Sequence, residues 1–99
     1  MSPPRHAPTK GLRIIVTDDD PTKLSAITQT LRDAGHSVFA AHDGHSALEL
    51  VVELPGVDLL VTNTRLGVVD GPTLMRRTRH LHPSMPILHM AAPEAIAQR

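Results

Sequence analysis

Short β-branched apolar runs alternate along this chain with segments whose apolar positions recur every three or four residues. The first run, residues 12–17, is of strand length and holds Leu12, Ile14, Ile15 and Val16. It ends at Asp18-Asp19-Asp20-Pro21, where Asp20 suits an N-cap and Pro21 suits the first helical position. Leu24, Ile27 and Leu31 then form one apolar stripe of a helix, and Gly35 stands where a left-handed terminal residue is wanted. A weak strand follows at residues 38–40. A helix is predicted over 46–54, with Ala47, Leu48, Val51 and Val52 on its apolar side and Pro55-Gly56 as its stop. Residues 57–62 read as the clearest strand, apolar on nearly both faces as a central parallel strand should be. A loop, 63–71, leads to a helix over 72–81 with Leu74, Thr78 and Leu81 inward. Residues 86–90 form a fourth strand, and 93–99 can begin another helix.

Four strands interleaved with helices predict an α/β domain: a parallel sheet with right-handed crossovers and helices on both faces. Ligands of such sheets sit at the carboxyl ends of the strands, where strand order reverses. Those ends carry Asp18 and Asp19 on the first strand and Asn63 on the third, which makes them the candidate site.

Composition narrows the chemistry. Ninety-nine residues suffice for one domain: a tail over 1–10, polar and Pro-rich, and a folded unit over 11–99. There is no cysteine, which excludes thiolate chemistry, disulfides and Cys-based metal sites. Ten Lys+Arg balance ten Asp+Glu, which disfavours a generic polyanion binder. Phe39 is the one aromatic, too few for base stacking, and no helix-turn-helix or other DNA-reading element is recognisable. No run is long enough to span a membrane, and the tail has no apolar h-region, so the expected location is cytoplasmic.

Two carboxylates side by side repel, by roughly 3 kcal/mol at about 5 Å and an effective dielectric near 20. A divalent cation relieves that repulsion, and hard oxygen ligands suit Mg²⁺. The bland alternative is that Asp18 and Asp20 face solvent and only cap the helix.

Here the sequence resembles a family. Val16-Thr17-Asp18-Asp19-Asp20-Pro21 is similar to the first-strand acidic signature of bacterial response-regulator receiver domains. Ala40-Ala41-His42-Asp43-Gly44 through Ala47-Leu48, the stretch from Val57 to Leu66, Asp70-Gly71 and Pro86-Ile87-Leu88 follow in the family's order. The resemblance implies a flavodoxin-like fold and a two-component phosphorelay. In that relay a partner histidine kinase donates a phosphoryl group to an aspartate ending the third strand, beside a Mg²⁺ held by the acidic residues.

The departures from that pattern matter as much. The acceptor position is Asn63, whose amide is uncharged and a poor nucleophile, so no phosphorylation is expected there. The switch hydroxyl at the end of the fourth strand is replaced by Ala91. The fifth β-α unit with its lysine is missing; Lys10 and Lys23 both lie far upstream. Asp18 and Asp19 then make a weak Mg²⁺ site at best, and no cofactor is required. The reading implied is an atypical pseudo-receiver, not an enzyme, that works as a protein-interaction module. Its partner is a histidine kinase, another signalling protein or a second copy. Ile87, Leu88 and Met90 on an uncovered fourth strand, with Arg76, Arg77 and Arg79 on the preceding helix, form the expected surface. Open alternatives are phosphorylation at another aspartate, Asp58 or Asp70, and a truncated fragment without function. A further one is a haloacid-dehalogenase-like phosphatase fragment, since Asp18-Asp19-Asp20-Pro21-Thr22 also fits that D-x-D-x-T loop. His42 with His45, and His80 with His82, have metal-ligand spacing but no third ligand.

Overall fold

Seven elements alternate through the computed structural model, which describes residues 11–63 and 69–90. They are β1 (Arg13–Thr17), α1 (Pro21–Asp33), β2 (Ser37–Ala41), α2 (Gly44–Glu53), β3 (Leu59–Asn63), α3 (Gly71–Leu81) and β4 (Ile87–Met90). The strands are all parallel, in the order β2-β1-β3-β4. Each strand therefore presents its carboxyl end to the same rim, and the order reverses between β1 and β3.

Successive residues of a strand point to opposite faces, and the core divides accordingly. Ile14 and Val16 of β1 and Val61 of β3 pack with Leu24 of α1 and Val38 of β2, flanked by Ile27 and Leu31. On the other face Ile15 and Leu60 pack with Ala47 and Val51 of α2, Leu74 of α3 and Met85. Apolar residues on both faces of β1 and β3 are thus explained by helices on both sides of the sheet.

Carboxylates define the helix starts. Asp20 Oδ1 accepts from the backbone N–H groups of Thr22 (2.9 Å) and Lys23 (3.3 Å) ahead of α1. Asp43 Oδ1 accepts from Ser46 N–H at 2.7 Å, so α2 begins at Gly44, two residues before the predicted start. That early start brings Gly44 so close to the Val69 carbonyl that a Cβ there would strike it. Asp70 Oδ1 caps α3 through Thr73 N–H at 2.9 Å. At the end of α1, Gly35 takes φ +97°, the left-handed conformation that glycine adopts at no steric cost.

Some expectations fail. Val52 and Leu81 are exposed (62% and 45%), not inward, because the apolar stripes of α2 and α3 are narrower than spacing implied. Strand β3 starts at Leu59 and runs through Asn63: Asp58 leaves the strand to accept Arg13 N–H at 2.9 Å. The predicted tail over 1–10, the helix over 93–99 and the Ala91 position lie outside the described residues. No helix among the described residues is long and apolar enough to cross a membrane.

Candidate functional site

Strands β1 and β3 are neighbours with Thr17 opposite Thr62, so Asp18 and Asn63 emerge side by side at the carboxyl rim. Both are buried, Asp18 completely. A buried carboxylate needs donors, since an unpaired charge away from water is costly. Three are supplied. Asp20 N–H reaches Asp18 Oδ1 at 2.9 Å, the Asn63 side-chain Nδ2–H reaches Oδ2 at 3.0 Å, and the Lys23 ammonium stands 3.3 Å from Oδ2. A carboxylate is acceptor-only when ionised, which is why Asn63 turns its amide nitrogen toward it. Asp18 backbone N–H also joins the β2 end through the Ala41 carbonyl at 3.3 Å.

The predicted acidic pair is therefore divided. Asp18 is interior and fully engaged by the chain's own groups, whereas Asp19 is exposed. Asp20 alone performs the capping role that the bland alternative gave to both Asp18 and Asp20. Asp18 cannot be a solvent-facing cap, because β1 carries it into the sheet's interior before the chain turns into α1.

Asp18 Oδ2 already faces an ammonium and an amide N–H, Asn63 adds no charge, and Asp19 lies in solvent. Among the described residues no group of three or more His, Asp or Glu could hold a metal ion. Three of the four motif histidines have other neighbours. His42 Nδ1 lies 3.2 Å from Asp43 Oδ2, His45 Nε2 lies 3.6 Å from Glu49 Oε2, and His82 Nε2 meets the Val51 carbonyl at 3.0 Å.

The other candidate acceptors are committed elsewhere. Asp58 lies before β3, at the opposite end of the sheet from Asn63, bonded to Arg13 N–H. Asp70 caps α3; its bond from the Thr73 backbone N–H, then that with the Thr73 side chain and the charge of Arg76, hold its carboxyl below the usual range. Asp43 is lowered in the same way, by the Ser46 N–H first and then the Ser46 side chain, with His42 and His45 adding to it.

The expected interaction surface is split in two. On β4, Ile87 packs against the α2–α3 core and Met90 against the α1 core, leaving Leu88 (56% exposed) as the apolar residue open to a partner. Arg76, Arg77 and Arg79 are exposed on α3. Arg76 and Arg77, with His80, instead edge a shallow groove of about 470 Å³ floored by Leu48, Val52 and Leu81, which none of the β4 residues lines.

Lys23 is the residue that sequence reasoning passed over. The signal was available: it stands five positions after Asp18 and in the first turn of the helix that Asp20 caps. A cation is unfavourable at a helix N-terminus unless a carboxylate holds it there.

Comparison with known proteins agrees with this architecture. The family model described as the response regulator receiver domain matches residues 14–99. The chain is 33% identical over 88 residues to the sensor kinase CckA of Brucella abortus, covering 86% of this chain and 9% of that protein. It is 32% identical over 88 residues to the response regulator MprA of Mycobacterium avium, covering 89% of this chain and 38% of that one. The chain thus spans well under half the length of either relative. Among solved structures, a response regulator receiver protein from Sinorhizobium medicae superposes with a TM-score of 0.77 at 31% identity, covering 89% of this chain and 73% of its own.

Proposed function

This chain belongs to the response regulator receiver family, and from that premise we propose that it is a pseudo-receiver: a two-component signalling module whose contacts with partners do not depend on phosphorylation. The carrying observation is the hydrogen bond from Asn63 Nδ2 to Asp18 Oδ2 at 3.0 Å. In the position where the family's acceptor carboxylate would attack a phosphoryl donor, this chain offers an amide. The amide nitrogen lone pair is delocalised, its oxygen carries no formal charge, and its N–H groups are donors, so nucleophilic attack has no competent atom.

Two further observations support the reading. Asp18 spends its lone pairs on internal donors, and Asp58 and Asp70 are each bonded to backbone N–H groups. A haloacid-dehalogenase-like phosphatase would need Asp18 as a free nucleophile; burial under three donors removes that freedom, and the family assignment takes its segment into the receiver pattern. Without a reacting group, the module has no catalytic residue. Its partner in this reading is a histidine kinase or another protein of the same signalling class, contacted through the β4 edge at Leu88 or the arginine-rimmed α2–α3 groove.

The test is incubation of the purified chain with acetyl phosphate, and separately with beryllofluoride, followed by intact mass spectrometry and amide NMR. No adduct and no spectral change are expected. A phosphoryl group on any aspartate of this rim would refute the proposal.

A further inference from the structure

The pocket at the head of β1 carries its own cation. Asp18 is completely buried and holds one negative charge; Asn63, its lateral neighbour, contributes none. Lys23 brings one positive charge to 3.3 Å from Asp18 Oδ2, so the buried carboxylate has its counter-charge from α1. We propose that Lys23 is the resident cation of this pocket, standing where a metal-dependent site would need a divalent ion, and that Mg²⁺ enters only by expelling it.

Local geometry favours this assignment. Asp20 donates its N–H to Asp18 Oδ1, Lys23 donates its N–H to Asp20 Oδ1, and the Lys23 ammonium returns to Asp18 Oδ2. The three residues close a ring around the start of α1. The lysine pays an electrostatic penalty at a helix N-terminus, and the pairing with Asp18 supplies what offsets it. The side chain is 41% exposed, so its stem leaves a path by which a solution cation could compete. Mg²⁺ competes poorly by that path while the ammonium holds Asp18 Oδ2, because it dehydrates reluctantly and would have to displace that charge.

The inference rests on the pseudo-receiver reading, since a carboxylate at position 63 would leave one ammonium unable to balance two charges. The two fail separately, however. A phosphoryl adduct refutes the parent reading, whereas tight Mg²⁺ binding without any adduct refutes only the role of Lys23.

The experiment titrates the full chain and its Lys23→Met variant with MgCl₂ at constant ionic strength, following amide NMR of residues 17–24. The wild type is expected to show no saturable change up to about 20 mM, whereas Lys23→Met acquires a saturable response at least about tenfold tighter. Equal affinities, or a variant that still binds no Mg²⁺, would overturn the proposal. The wild type provides a second readout that survives a poorly folding variant. Lys10 and Lys23 are the only lysines, so their two side-chain ¹⁵N resonances are easily distinguished. A Lys23 ammonium signal displaced from that of Lys10 and unmoved by Mg²⁺ is expected; coincidence of the two signals would overturn the assignment.

Discussion

Asn63→Asp puts a second carboxylate about where an amide N–H now meets Asp18 at 3.0 Å. At that separation, with an effective dielectric near 20, two unit charges repel by about 5 kcal/mol. Loss of the existing hydrogen bond adds about 1 kcal/mol. Lys23 can swing between the two carboxylates and return part of this, though its 41% exposure screens the gain. A net destabilisation of roughly 2–4 kcal/mol in the absence of divalent metal follows, or a fall of some 10–20 °C in Tm for a domain of this size. Mg²⁺ should restore much of it, since a doubly charged ion suits two carboxylates better than one ammonium does. Lowering the pH toward the carboxylate range should also relieve the penalty, because one member of the pair takes up a proton and the repulsion disappears. The assay is a thermal melt in EDTA and in MgCl₂, at neutral pH and near pH 4. If the variant melts with the wild type in EDTA, the charge balance inferred for this pocket is wrong.

Leu74 is fully buried in the core it shares with Ile15, Ala47, Val51 and Leu60, so Leu74→Ala should cost about 2–5 kcal/mol in denaturant unfolding. Thr78 is equally buried, and its hydroxyl has no hydrogen-bond partner among the described residues. Thr78→Val keeps the shape and removes the unsatisfied group, so it should stabilise by about 1 kcal/mol in the same assay. The carboxyls of Asp43 and Asp70 are held below their usual 3.8 by the N–H groups they cap. Their contribution is therefore fully present above that value and is lost as pH falls through the lowered folded-state values. Asp43→Asn and Asp70→Asn should flatten the acid limb of the stability profile while changing little at neutral pH, since Asn also caps helices.

The alternation of strands and helices, the helix start at Asp20 and the placement of Asn63 at a strand end were all legible in the chain. Each follows from a local cause: β-branched runs, apolar spacing, a capping carboxylate, a proline without an N–H. The amide at position 63 likewise announces its chemistry without any coordinates, because side-chain identity alone decides that this position carries no carboxylate.

Tertiary structure decided the rest. Asp18 and Asp19 are adjacent and chemically alike, yet one is wholly buried and the other exposed, because strand direction and the turn into α1 set which of them enters the sheet's interior. Val52 and Leu81 look like core positions by spacing, but they stay exposed among the described residues and line a groove instead. Lys23 shows the limit most plainly. Its type and position can be read directly, but its role depends on a parallel pairing of β1 with β3 that brings Asn63, 45 residues from Asp18, against the same carboxylate. Local physics determines the elements, whereas the balance of charge inside a pocket depends on which distant residues the fold makes neighbours.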